Sequence, residues 1–127
     1  CHLIIDAMDN LPVRYLLNET ALKLNIPLIH GAVRGFEGRA TTIIPGETAC
    51  LGCISRGAPP AEVFPVIGVA PAVIGSIQAA EAVKYITGAG ELLTNRLLAY
   101  DGLRSTFTEF KLKKNPQCPY CGQRSIA

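Results

Sequence analysis

Four of the five cysteines fall into two pairs with the spacing of metal knuckles: Cys50-Leu51-Gly52-Cys53 and Cys118-Pro119-Tyr120-Cys121. The two-residue gap lets both thiolates of a pair turn toward one ion, and two pairs complete the tetrahedral shell of a structural zinc. Such a shell keeps no open position, so it clamps structure and performs no reaction. Other readings of the cysteines are weaker. A thioredoxin-like redox pair opens a helix directly after a strand, and neither pair is placed that way. A nucleic-acid-binding zinc ribbon separates its knuckles by about 15–20 residues, far fewer than lie between Cys53 and Cys118. Cys1 opens an apolar run and reads as a small core residue.

Asp9 is the second group that could do chemistry. It lies just past an apolar, strand-like run, His2 to Asp6, and just before a helix start. In open α/β sheets, ligands bind in the crevice at the carboxyl ends of the strands. A carboxylate there can hold Mg2+ through one oxygen while the ion bridges to nucleotide phosphates. An Asp-Asn pair serves equally well as an ordinary helix N-cap, and spacing alone favours the cap. Asp6 faces the same choice and could simply end the strand. Arg14 falls one helical turn after Asn10 and could reach a phosphate, or sit exposed on the helix. Arg34 and Arg39 flank the turn Phe36-Glu37-Gly38 and read as solvated. His30 sits among apolar neighbours and reads as a satisfied core histidine; neither it nor His2 has a nucleophile or ligand partner nearby in sequence.

These residues need elements to position them. His2 to Asp6 reads as a short buried strand, a continuous apolar run. A helix should start near Asn10, with Pro12 in its first turn, and run to about Leu24, where Asn25 caps it before Pro27. Strands are expected at Pro27 to Val33 and Arg39 to Pro45. A Gly/Pro-rich stretch, Gly46 to Pro65, carries the first knuckle. A long helix from about Pro71 to Thr87 should end at Gly88. Its small residues Gly75, Ser76, Ala79, Ala80 and Ala82 would allow close approach to a sheet or another helix. Arg96 to Asp101 and Thr106 to Leu112 read as two late strands joined at Gly102. The order strand, helix, strand and then hairpins indicates an α/β fold with a mixed sheet.

Composition narrows the classes. The 127 residues suffice for one domain with a real core. Charged residues make up only 17%, against about 25% in average proteins, so part of the surface is expected to be covered, and a homodimer is expected. The net charge of +2 is too small to argue for nucleic acid. No stretch approaches the roughly 18 apolar residues of a membrane span, and Val63 to Ile77 is broken by two prolines and two glycines. The start, Cys1 to Asp6, lacks the basic region of a signal peptide. Paired knuckles without signs of secretion favour a reducing cytoplasm and a metal over disulfides. The chain begins inside a strand-like run, as a portion of a longer protein would. It has neither GxGxxG nor GxxxxGK[ST], the loops that cradle phosphates.

Several blocks together resemble a known family. They are Asp6-Ala-Met-Asp9-Asn10-Leu-Pro-Val-Arg14, Pro27-Leu-Ile-His-Gly31-Ala-Val-Arg-Gly-Phe-Glu37-Gly38-Arg, the Cys50 knuckle, Gly68-Val-Ala-Pro-Ala-Val-Ile-Gly75-Ser-Ile-Gln78-Ala-Ala-Glu81, and the Cys118 knuckle. Their order and content resemble the MoeB/ThiF/HesA family of ubiquitin-activating-enzyme-like adenylyltransferases over nearly the whole chain. The resemblance implies a Rossmann-like α/β domain of which residues 1–127 are the C-terminal part, with ATP at the strand ends. It implies adenylation of the C-terminal glycine of a ubiquitin-like sulfur carrier ending in Gly-Gly, in the full-length protein. Asp9 then matches the aspartate that holds Mg2+ with ATP, and Asn10 its neighbour at the nucleotide. Arg14 matches a motif arginine, and Cys50, Cys53, Cys118 and Cys121 match the structural zinc ligands. The family's glycine-rich nucleotide loop precedes the region present here, so the chain alone is expected to bind ATP poorly. Some members place a carrier- or sulfur-accepting cysteine near the position of Phe64. This sequence has none between Cys53 and Val69, as in members that stop at the acyl-adenylate. The alternative is a zinc-stabilised interaction module without catalysis.

Overall fold

The computed structural model describes residues 1–54 and 65–122. Five strands form one sheet in sequence order: β1 (Ile4–Ile5), β2 (Leu28–Arg34), β3 (Glu37–Ile43), β4 (Arg96–Asp101) and β5 (Thr106–Lys111). β1 runs parallel to β2, and the remaining neighbours are antiparallel. The helices are α1 (Leu11–Leu24), the short α2 (Leu51–Ile54) and α3 (Val69–Thr87). The expected mixed α/β sheet is therefore present.

Pleating sorts the side chains of β2 and β3 onto two faces. Leu28 and His30 of β2 lie opposite Ile43 and Thr41 of β3. On this face Leu28 and Ile43 pack with Ala21 of α1, Leu51 of α2 and three of the knuckle cysteines. The other face, with Ile29, Gly31 and Thr42, is covered by α3. That helix buries Ala70, Ile74, Gln78 and Glu81, residues three or four apart and hence on one side. Glu81 accepts hydrogen bonds from Thr42 Oγ1 (2.7 Å) and from the Leu93 amide (2.5 Å). Gln78 Nε2 donates to the carbonyls of Asp6 (2.8 Å) and Ile29 (3.1 Å). A side chain at Gly31 would meet the Gln78 amide at 2.5 Å, so this glycine permits the close approach of α3.

Four expectations need correction. Strand β1 is two residues long, and Ile5 is 44% exposed, because β1 is the edge of the sheet and only β2 pairs with it among the described residues. Cys1 lies before that strand and is exposed, so it is no core residue. The tight turn is Gly35-Phe36, since Arg34 pairs with Glu37. Gly35 takes the positive φ of 58° there, and Glu37 and Gly38 belong to β3. Of the two partners expected for the small residues of α3, the sheet is not one: Gly75, Ser76, Ala79 and Ala80 are exposed, and the sheet is met by the larger Ile74, Gln78 and Glu81. Both helix ends follow the expected chemistry: Asn25 (φ 57°) and Gly88 (φ 76°) close α1 and α3 in the left-handed conformation.

Candidate functional site

The two knuckles converge although Cys50 and Cys118 are distant in sequence. Cys50 and Cys53 bracket the start of α2, and Cys118 and Cys121 lie in the turns after β5. The Sγ atoms are 3.9 Å apart for Cys50–Cys53, 3.6 Å for Cys50–Cys118 and 3.3 Å for Cys53–Cys121. All four lie within 4.8 Å of one another. A tetrahedron of sulfurs at about 2.3 Å from zinc has edges of about 3.8 Å, so the donor set fits such an ion. The Asn115 amide donates to Cys53 Sγ at 3.4 Å, a bond that stabilises a thiolate. Tyr15 of α1 stacks on Tyr120 of the second knuckle, with centroids 5.5 Å apart and planes 15° from parallel. Burial pushes the Cys50 thiol up to about 11. At Cys118 burial acts the same way, but the backbone amides of Cys121 and Tyr120 outweigh it and bring the thiol down to about 7. The four thiols can thus hold a metal ion.

The second constellation lies at the carboxyl end of β1. Asp6 is buried and accepts from the Met8 amide at 3.0 Å through Oδ1. Its Oδ2 is 2.9 Å from His30 Nδ1 and 3.4 Å from Arg14 Nε. Arg14 Nη2 donates to the Met8 carbonyl at 2.5 Å. Both backbone polar groups of Met8 are therefore held, one by Asp6 and one by Arg14. Met8 immediately precedes Asp9. Asn10 is the N-cap of α1: its Oδ1 accepts the Val13 amide at 3.0 Å, and its backbone is extended. Asn10 Nδ2 donates to Asp9 Oδ1 at 3.1 Å. Asn10 caps the helix, and the exposed Asp9 carboxylate keeps its second oxygen clear of the cap.

Electrostatics in this cluster follow from burial. Desolvation favours neutral His30, and although Asp6 pulls the other way, the net shift is down. Burial alone would raise Asp6, but the His30 and Met8 hydrogen bonds and the charge of Arg14 outweigh it, and the carboxyl is lowered. A neutral imidazole donating Nδ1–H to an ionised carboxylate agrees with both shifts and leaves the buried Nε2 of His30 without a partner. Arg39 is half-buried beside Arg14 and Tyr15, with its pKa lowered first by desolvation and then by Arg14, so the expectation of a solvated side chain fails for it. Arg34 is exposed, as expected. Arg14 is itself buried, because it faces Asp6 and the Met8 carbonyl.

Sequence reasoning missed the Asp6–His30–Arg14 cluster. Its signal was present but indirect. Two apolar runs joined by a helix form a parallel pair, and the register Ile4 with Leu28 and Ile5 with Ile29 sets Asp6 beside His30. The position near Phe64, expected to lack an acceptor cysteine, lies outside the described residues.

The chain is 43% identical to the SAMP-activating enzyme E1 of Haloferax volcanii over 129 residues, covering 97% of this chain and 47% of that protein. It is 40% identical to the sulfur carrier protein adenylyltransferase of Thermus thermophilus over 131 residues, covering 94% of this chain and 48% of that protein. The chain thus spans just under half the length of these curated relatives. Among solved structures, the microcin C7 biosynthetic enzyme MccB in complex with N-formylated MccA superposes with a TM-score of 0.83 at 16% identity, over 95% of this chain and 41% of that one. The heterocyclase TruD superposes with a TM-score of 0.77 at 18% identity, over 98% of this chain and 23% of that one. These two establish the fold alone. The ThiF family matches residues 1–120, and with these identities the chain belongs to that family.

Proposed function

We propose that this chain is the C-terminal portion of an adenylyltransferase domain that activates the terminal glycine of a ubiquitin-like sulfur carrier ending in Gly-Gly. The carrying observation is Asp9: an exposed carboxylate at a strand end, relieved of cap duty by Asn10 and set by the clamp on Met8. The activities for which the Haloferax and Thermus relatives are named support the reaction class.

In that reaction the glycine carboxylate oxygen attacks the α-phosphorus of ATP, the bond to the bridging oxygen breaks, and pyrophosphate leaves. No protein nucleophile is required; the protein positions the groups and stabilises developing charge. Asp9 would hold Mg2+, which when bound offsets negative charge on the phosphates. Asn10 orients the Asp9 carboxylate through its 3.1 Å bond, and Arg14 keeps the preceding peptide in place. Cys50, Cys53, Cys118 and Cys121 would hold a structural zinc on the same helix's flank. Neither phosphate-cradling loop motif occurs in this sequence, and in this reading the main phosphate contacts come from the remainder of the full-length protein.

The test is ATP–pyrophosphate exchange by the full-length protein with a Gly-Gly-ended carrier. Exchange should depend on the carrier, and Asp9→Ala should lower it on the order of 100-fold or more, the scale of losing a charge-stabilising group. Absence of exchange with every such carrier, or exchange insensitive to Asp9→Ala, overturns the proposal in favour of an interaction module.

A further inference from the structure

Asn18 is wholly buried at the middle of α1. Its Oδ1 accepts the amide of Leu51 at 2.9 Å, and Leu51 is the residue that follows Cys50 inside the first knuckle. This places the Asn18 amide at the first knuckle, where it helps to lower the Cys50 thiol, while its Nδ2 makes no well-formed hydrogen bond, one of three buried side-chain polar atoms left so among the described residues. A buried amide N–H without an acceptor is unfavourable, so an orphan of this kind points to a missing acceptor. A cysteine bound to a metal is a thiolate, a far better acceptor than a thiol.

The same buried face of α1 carries Arg14 one turn earlier and Ala21 one turn later. Arg14 grips the Met8 carbonyl next to Asp9, and Asn18 grips the knuckle. α1 is thus held by polar side chains at two points, one at the strand-end site and one at the cysteine cluster.

We infer that Asn18 is the positioning residue that couples the four-cysteine metal site to α1, donating Nδ2–H to the metal-bound Cys50 sulfur while its Oδ1 holds the Leu51 amide. Metal occupancy then sets how firmly the helix start at Asn10, and with it Asp9, is held. The inference does not depend on what Asp9 binds. Hydrogen bonds to metal ligands orient the ligand and tune the metal, and losing one typically lowers metal affinity by about 10–100-fold.

The experiment uses the full-length protein in two parts. In the first, Asn18→Asp keeps an oxygen for the Leu51 amide but puts a carboxylate where the Nδ2 donor stood. Chelator competition should show a 10–100-fold weaker zinc affinity. The sulfur-to-cobalt charge-transfer band of the Co2+-substituted protein should shift, which a role confined to packing would not produce. Wild-type affinity together with an unchanged band overturns the inference. In the second, amide hydrogen exchange of the wild type is compared with zinc bound and after chelation. Exchange in the first two turns of α1 should quicken on chelation more than exchange in α3, which packs on the opposite face of the sheet. Equal change in the two helices, or none in α1, also overturns it. This second part needs no variant, so it can still overturn the inference if Asn18→Asp fails to fold.

Discussion

Asp6 stands at the centre of the strand-end site although its own carboxylate is buried. It spends one oxygen on the Met8 amide and the other on His30, with Arg14 close by. This arrangement has a pH signature. His30 has its pKa lowered in the folded chain, mainly by burial, so the unfolded chain binds a proton more readily. Stability is therefore full above the ordinary histidine value of about 6.5 and falls as pH drops below it, toward the lower folded value. Asp6 is also lowered, so its contribution is present above about 3.8 and lost only in stronger acid. Urea melts between pH 7 and 5 should show the loss, by at most about 1.4 kcal/mol per pH unit for one proton. His30→Gln should start less stable but show a flatter dependence. An equal slope in the two proteins would remove His30 as the cause.

Helix α1 is the element that joins the two constellations. At about 1.5 Å rise per residue, its 14 residues span roughly 21 Å. Its N-cap lies at the strand-end site and its middle at the knuckle. The cap matters because the first helical amides have no partner within the helix. Asn10→Ala removes the bond to the Val13 amide and the one to Asp9, and should lower stability by about 1 kcal/mol. In the exchange assay proposed above it should also weaken nucleotide use, because Asp9 loses its orienting partner. Asn10→Ser, which keeps a cap acceptor but cannot make the amide bond to Asp9, separates the two effects: stability returns and activity does not. If Asn10→Ser restores both, the Asp9 contact is without consequence. α3 shows how an element can be placed correctly and misread. Its ends and length follow from Gly88 and the apolar run, but the face it turns to the sheet does not follow from residue size.

For the whole molecule, the low charge content and the outward face of α3 belong together. Val69 is 57%, Val83 59% and Ile86 72% exposed, beside small residues that permit close contact. We propose that this face meets a second copy of the chain, and light scattering of the full-length protein should report a dimer. A monomer at high concentration would reject it. No helix among the described residues is long and apolar enough to cross a membrane.

The amino-acid sequence by itself determined the mixed α/β architecture, the four cysteines that cluster and the family. Each rests on information that is local along the chain: apolar runs of strand and helix length, Asx caps, and knuckle spacing that brings two sulfurs together without regard to the rest of the fold. Only the tertiary structure decided which residue of the Asp9-Asn10 pair caps α1. It also set Asp6, Arg14 and His30 in one cluster and put Asn18 against the Leu51 amide of the first knuckle. Those outcomes turn on strand register and helix rotation. Residues 24 positions apart meet because β1 and β2 pair in parallel, and α1 touches the knuckle because of the face it turns to the sheet. A charge or an amide is inexpensive in water and costly when buried without a partner, so such residues acquire roles only once the fold has chosen what surrounds them.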